Sequence, residues 1–307
     1  MGTPEFAVPS LDILLKNNYD IVGVVTVPDK RKGRGRTMQY SDVKKFAIEK
    51  NLFLLQPEKM KDPSFVKEIE NLQPDLIVIV AFRILPREIF TIPKYGSFNL
   101  HGSLLPKYRG AAPINWAIIN GEKETGVTTF FLKETVDTGN IILQKKIPIN
   151  DDDDAGIIHD KLSKIGAETV LETVRLIEKG NVNVTLQDNS LASPAPKIFK
   201  EDCKINWVQS SAKIYNFIRG LSPYPASFTH LDNKIVKIFK SGLTNRQVTS
   251  SPATIYIEDK KLFVNTNDYM IEILELQPEG KKRMSANDFI NGILINKPPN
   301  TTATFSN

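Results

Sequence analysis

Two runs of β-branched residues limit what this chain can become: Ile-Val-Gly-Val-Val-Thr-Val at 21–27 and Leu-Ile-Val-Ile-Val at 76–80. Neither alternates apolar with polar residues over its length, so each reads as a strand covered on both faces. Ser-Phe-Asn-Leu (97–100) and Val-Thr-Thr-Phe-Phe-Leu (127–132) read as further strands. Helical patterns occupy 10–16, 40–50, 63–71, 112–120 and 155–179, the last being the longest and most clearly amphipathic. Strands alternating with helices predict an α/β fold with a doubly wound parallel sheet, whose ligands bind beyond the carboxyl ends of the strands. Such a sheet opens on a central strand, yet this chain starts at Met-Gly-Thr-Pro, which reads as the turn after one. The expectation is a missing first strand ahead of Met1, with two unpaired sheet edges left behind.

At 307 residues the chain is one large or two ordinary domains. A polar stretch with two prolines (187–196) reads as a linker. Beyond it come a short helix at 211–219 and short strand-like runs at 226–230, 234–239, 253–257, 261–264 and 269–277, a spacing that predicts a small β-barrel. The expected division is 1–186, 187–202 as linker, and 203–307. The tail from 297 to 307 has little apolar content and is expected to fray. Cys203 is the only cysteine, which excludes an internal disulfide and a cysteine-cluster metal site and reads as a buried, inert thiol. No apolar run approaches the roughly 20 residues of a membrane helix, and no secretory signal is visible, so the expected location is cytoplasmic. Charge is unevenly placed. Residues 1–188 carry 25 Lys+Arg and 25 Asp+Glu, whereas 189–307 carry 15 and 10, so the formal excess of +5 lies wholly in the later part. That excess fits either a polyanionic partner or a merely solvated basic surface.

The most specific stretch is Asn99-Leu-His101, followed by Gly-Ser-Leu-Leu-Pro-Lys-Tyr-Arg-Gly-Ala-Ala-Pro-Ile-Asn-Trp (102–116), with Asp137-Thr-Gly139 a short span later. Side chains two apart on a strand share a face. A lone histidine on a strand is usually structural, and Asp-Thr-Gly alone is usually a turn. The long loop, with Arg109, two glycines and two prolines, is too particular for a plain connector. An amide, an imidazole and a carboxylate together suit acyl transfer. The first two can stabilise a tetrahedral oxyanion, and the third can orient the imidazole and help move protons. Asp151 to Asp154 read as the acidic start of a helix rather than as a metal site, because consecutive carboxylates point apart. No metal is expected.

The run from Asn99 to Pro113 resembles the signature of the folate-dependent formyltransferases. Within that family the likeness to members acting on methionyl-tRNA runs over nearly the whole chain. It includes Gly-Thr-Pro-Glu-Phe-Ala-Val-Pro-Ser (2–10), Pro28-Asp29 with Gly33-Arg34-Gly35, Val136-Asp-Thr-Gly139, Ile205-Asn-Trp207, Ile-Arg-Gly-Leu-Ser-Pro-Tyr-Pro-Ala (218–226) and Gly-Lys-Lys-Arg-Met (280–284). The resemblance implies a strand immediately before Gly2-Thr-Pro and an OB-like C-terminal barrel. It also implies formyl transfer from 10-formyltetrahydrofolate to the amino group of methionyl-initiator tRNA, with no metal, by a monomer. It assigns catalysis to Asn99, His101 and Asp137. Folate binding falls to Ser103, Leu104, Leu105 and Pro106, to Ala81, Phe82, Arg83, Ile84 and Leu85, and to Val136 and Gly139. For 81–85 a strand end turning into Pro86 is an equal reading.

Lys30, Arg31, Lys32, Arg34 and Arg36 place five cations in seven residues around two glycines. Such a run is by default a solvated loop. In the resembled enzymes it reaches the tRNA acceptor end. Lys197, Lys281, Lys282 and Arg283 are further phosphate candidates, as is Lys200. Lys133, Thr135 and Asn140 depart from the family pattern, which has an acidic residue, Gly and Asp there. A glycinamide ribonucleotide formyltransferase would need no basic second domain, and a sugar-nucleotide formyltransferase should lack the 30–36 loop. A formyl hydrolase would use water as acceptor, and a tRNA-binding module without activity would not need the Asn/His/Asp set.

Overall fold

The computed structural model describes residues 1–32, 37–294 and 304–306. A single-turn 3-10 helix at Glu5–Ala7 leads into α1 (Val8–Lys16), then β1 (Val24–Val25), β2 (Lys30–Lys32) and β3 (Thr37–Gln39). Next come α2 (Asp42–Glu49), β4 (Leu54–Leu55), α3 (Pro63–Leu72), β5 (Ile77–Val80), α4 (Arg87–Phe90) and β6 (Ser97–His101). They are followed by β7 (Arg109–Gly110), α5 (Pro113–Ile119), β8 (Glu124–Phe131), β9 (Ile141–Pro148), α6 (Ala155–Glu178) and β10 (Pro194–Ala195). The rest comprises α7 (Ser211–Leu221), β11 (Ser227–Leu231), β12 (Lys234–Gln247), β13 (Ile255–Glu258), β14 (Lys261–Asn265), β15 (Tyr269–Pro278), β16 (Met284–Ser285) and α8 (Ala286–Phe289).

Helix starts follow local chemistry. Ser41 caps α2 by accepting the Lys44 N–H at 3.1 Å, and Asp62 caps α3 ahead of Pro63 at the first helical position. Of the four consecutive acids, Asp154 accepts the Ile157 N–H at 2.9 Å at the mouth of α6, while Asp153 accepts the Asn150 N–H at 2.8 Å.

The chain divides into two compact units. One comprises 1–113, 124–147 and 159–196; the other comprises 114–123, 148–158 and 197–307. In the first unit β1 pairs in parallel with β4, and the order β5-β6-β8-β9 makes a second sheet. Met1 and Gly2 stand between the two. Gly2 N–H donates to Val25 O at 3.0 Å, Val80 N–H donates to Met1 O at 2.9 Å, and the Met1 amino group donates to Val78 O at 2.7 Å. Burial lowers the pKa of that amino group from 8.0 to about 5. Beside it lies a cavity of about 140 Å³ lined by Leu14, Val24, Ile77 and Val78 among others.

The expectation of an all-parallel sheet is corrected. β5 and β6 are parallel, but β8 runs antiparallel to β6, pairing Asn99 with Phe130 and His101 with Thr128. β8 and β9 are joined by 132–140, too short for the dozen or more residues of a parallel crossover. Runs of apolar residues report burial, not direction, so this reversal leaves no mark in them. The core beneath the first sheet gathers Val25, Leu55, Phe65, Ile69, Ile77, Ile79 and Ile89.

The second unit holds an antiparallel sheet in the order β11-β12-β15-β14-β13, with β16 paired to β15. Its core includes Trp207, Ile214, Ile218, Ile238, Leu262, Ile273 and Phe289. The frayed-tail expectation fails for 304–306. Phe305 is buried and stacks on Trp207 at 5.6 Å between centroids, and the backbone here is bonded on two sides: Ser306 N–H donates to His230 O, while Phe305 N–H donates to Ala253 O. One aromatic ring is the apolar pin that the composition of the tail as a whole conceals. The rest of the tail, 297–303 and Asn307, lies outside the described residues. Cys203 is buried, with its thiol 3.2 Å from Phe199 O, and burial pushes its pKa up.

Candidate active site

β6 carries Asn99 and His101 on one face, while Leu100 between them turns to the other and is buried. Behind Leu100 runs α6 at Gly166, where any Cβ would come within 2.8 Å of the leucine side chain. The missing side chain lets helix and strand approach. A buried hydroxyl pair, Thr129 on β8 and Thr173 on α6 at 2.8 Å, ties the same helix to the neighbouring strand. The strand that presents the site is therefore backed by the longest helix.

His101 is 6 % exposed. Its Nε2 lies 2.8 Å from Tyr108 O, and a carbonyl can only accept, so Nε2 carries a proton and Nδ1 is the variable nitrogen. Nδ1 faces Asp137 Oδ2 at 3.9 Å, beyond direct hydrogen-bond reach but close enough for attraction once the ring is charged. Asp137 sits at φ +54, a left-handed conformation in which its Oδ2 accepts the Gly110 N–H at 2.9 Å. The Asn99 side chain is half-buried and, among the described residues, has no hydrogen-bond partner. It is an available donor beside the imidazole.

The turn bearing Asp137 accommodates the unusual residues. Lys133 donates to Asn140 Oδ1 at 2.8 Å across its base, and Thr138 hydroxyl donates to Thr135 O at 2.8 Å. Thr135 does not take a positive φ; the left-handed position is Asp137 itself. Gly139 admits nothing larger, since a Cβ would fall 1.5 Å from Phe131 O.

The loop after His101 is tied inward. Thr128 hydroxyl donates to Ser103 O at 2.6 Å and accepts from Leu105 N–H at 3.1 Å and from Gln144 Nε2 at 2.9 Å. Gln144 Nε2 also donates to Leu105 O at 2.8 Å, Ser103 hydroxyl donates to Lys107 O at 2.7 Å, and the Leu105–Pro106 peptide is cis. Ser103 and Leu105 are buried, so their side chains serve the loop rather than a ligand; Leu104 and Pro106 are half-buried. Of the residues after β5, Leu85 is in the core and Phe82 is half-buried. Arg83 is anchored on Pro57 O at 2.7 Å and Glu58 O at 2.9 Å, and burial lowers its pKa. Ala81 and Ile84 are exposed, Ile84 at 72 %, and Val136 is 46 % exposed. Ile84 and Val136 are thus the most exposed apolar side chains of this set, while Leu85 and Leu105 are buried.

Among the cations, Lys30 is exposed, and Arg31 and Lys32 lie on β2 of a hairpin with β3. Arg34 and Arg36 lie outside the described residues. Lys197 sits over the Phe199 ring at 5.2 Å, and Lys200, Lys281 and Lys282 are exposed. Arg283 is engaged by Glu275 at 2.5 Å and lies over Phe239 at 4.2 Å, so it is the least available.

Sequence reasoning gave no role to Thr128, Gln144 or Gln187, and none to Arg109 beyond its place in the loop. No local pattern marks a buried threonine or a glutamine in a polar stretch; only folding brings them to the site.

Residues 1–174 match the formyl transferase family and 197–294 match the formyl transferase C-terminal domain. This chain belongs to the formyl transferase family. Its relatives include proteins named methionyl-tRNA formyltransferase. That of Bacteroides fragilis is 48% identical over 302 residues, covering 95% of this chain and 93% of the relative, and that of Thermodesulfovibrio yellowstonii is 48% identical over 297 residues, covering 96% of each. A crystal structure of the N-formyltransferase from Helicobacter canadensis, in complex with folinic acid and dTDP-3-aminofucose, superposes with TM-score 0.67 at 26% identity over 89% of this chain and 96% of that one. A sugar 3N-formyl transferase crystallised with dTDP and 5-N-formyl-THF gives 0.66 at 25% identity over 92% and 97%. No helix among the described residues is long and apolar enough to cross a membrane.

Proposed function

We propose that this chain transfers the formyl group of 10-formyltetrahydrofolate to the α-amino group of methionyl-initiator tRNA. The observation that carries this is the free Asn99 amide beside a His101–Asp137 pair at the end of β6, in a chain 48% identical to proteins named for that activity. The neutral amine attacks the formyl carbon. Asn99 donates an N–H to the oxyanion that develops, and the buried His101 ring beside it is placed to act as a second polar partner, facing Asp137 across 3.9 Å. Asp137 takes the proton leaving the amine, directly or through a water, and returns it toward the departing folate nitrogen. No covalent enzyme intermediate is required.

Main chain at 81–85 and 136–139, with the exposed Ile84 and Val136 side chains, supplies a slot for the pterin. Lys30, Arg31, Lys32, Arg34 and Arg36 contact the acceptor end of the tRNA, with Lys197, Lys200, Lys281 and Lys282 as secondary phosphate contacts and Arg283 the weakest. Division into 1–186, a linker 187–202 and 203–307 rests on the polar, two-proline stretch at 187–196. The second unit is read as an OB-like barrel, supported by 304–306, which reach both β11 and the residues before β13. The protein acts as a cytoplasmic monomer. A sugar-nucleotide amine is the alternative acceptor, favoured by the two structural neighbours.

Formyl transfer to methionyl-initiator tRNA, elongator methionyl-tRNA and a UDP-amino sugar tests this directly. Initiator formylation, reduced about 10²-fold or more by His101→Ala, is expected. Transfer to the sugar alone overturns the acceptor.

A further inference from the structure

Gln187 and Arg109 form a clamp whose direction chemistry fixes. Gln187 Oε1 receives two N–H groups of Arg109, from Nε at 3.1 Å and Nη2 at 2.7 Å, and a guanidinium can only donate. Gln187 Nε2 therefore faces the other way, donating to Asp137 O at 2.9 Å and Gly139 O at 2.7 Å, and carbonyls can only accept. Neither end of the amide can be reversed. Arg109 is itself held. Its Nη2 reaches Asn189 Oδ1 at 2.8 Å, its N–H donates to Ser193 O at 2.9 Å, and β7 pairs in parallel with β10. Its chain neighbour Gly110 supplies the N–H that the Asp137 carboxylate accepts. The turn holding Asp137 is thus gripped at both its main chain and its side chain from one source, the Arg109–Gly110 strand.

We infer that Gln187 and Arg109 are positioning residues for formyl transfer, which hold the left-handed Asp137 turn so that its carboxylate meets His101 Nδ1. The inference rests on the reading of Asp137 as a catalytic residue. Without the two amide donors the Asp137 and Gly139 carbonyls lose their Gln187 bonds, and the turn is left with the Gly110 N–H on its carboxylate and its internal Thr138–Thr135 bond, a weaker hold on φ +54. A displacement of about 1 Å at a reacting group costs on the order of 10²-fold in rate.

The test is a double-mutant cycle on the full chain, with kcat and KM for 10-formyltetrahydrofolate as readouts. Gln187→Leu removes both halves of the clamp. Gln187→Glu keeps the acceptor for Arg109 but loses both donors, so the segment stays attached while the turn is freed. Each should lower kcat about 10- to 100-fold with KM changed less than threefold. In an Asp137→Asn background the same substitutions should cost less than threefold, because the group they position is already disabled. Equal losses in both backgrounds, or full kcat in a folded Gln187→Glu, overturn the inference. Undiminished kcat in Asp137→Asn alone overturns instead the catalytic reading on which it stands. Thermal unfolding of each variant separates loss of position from loss of fold.

Discussion

Gly139 lies two residues beyond the Asp137 carboxylate, packed against a carbonyl it cannot displace. A methyl group there would sit 1.5 Å from Phe131 O and 2.8 Å from Phe131 C, both backbone atoms of β8. Gly139→Ala must therefore move the turn, not the strand. The expected outcome is a fall in kcat of about 10²-fold, from misplacement of Asp137, together with a stability loss of about 1–3 kcal/mol. Steady-state kinetics and thermal unfolding on one preparation check both. Asn99, His101 and Asp137 stand out in the sequence because each belongs to a short, chemically unusual run. Thr128, Gln144 and Gln187 do not. Each is an ordinary polar residue whose partners lie 16 to 78 positions away, and only the fold brings donor to acceptor.

Strands and helices were legible to the extent that periodicity encodes them. The long amphipathic pattern at 155–179 became α6, and the run at 76–80 became β5, each within a residue or two. The run at 21–27 contributes only Val24–Val25 as a strand, and β9 escaped notice because Leu-Gln-Lys-Lys-Ile-Pro within it neither alternates apolar with polar residues nor stays apolar. The tail shows the same limit from the other side. Phe305 is 1% exposed against Trp207, and its burial holds 304–306 to β11 and to the residues before β13. Phe305→Ala should destabilise the second unit by about 3–5 kcal/mol. A lower midpoint in denaturant with an unchanged slope is the expected signature, and a wild-type midpoint would show that the stack contributes nothing.

For the molecule as a whole, the buried amino group of Met1 links stability to pH. In a chain whose first residue is Met1, the folded amine has a pKa of about 5 against 8.0 unfolded. Between those values the unfolded chain binds the proton and the folded chain does not. Stability is therefore full above pH 8 and falls as pH drops toward 5. At about 1.4 kcal/mol per pH unit the loss is on the order of 4 kcal/mol. Chemical denaturation across pH 5–8, compared with an N-acetylated chain, isolates the effect, since every other titrating group is common to both. An amide at that nitrogen makes the same bond to Val78 O without the charge, and the slope disappears.

The polar stretch at 187–196, expected as a linker, packs with the first unit. Neither that stretch nor the basic excess beyond 188 could reveal that 114–123 and 148–158 fold with the later residues, since that membership rests on distant contacts. Asn115 donates to Gly220 O at 2.8 Å, and Arg219 donates to Asp153 O at 3.0 Å. Chain order and unit membership thus disagree, with a consequence for synthesis. Those two stretches leave the ribosome long before the residues that cover them. No single proteolytic cut or gene break can part the two units: a fragment ending at 196 carries two pieces of the other unit without their partners, and one starting at 197 lacks them.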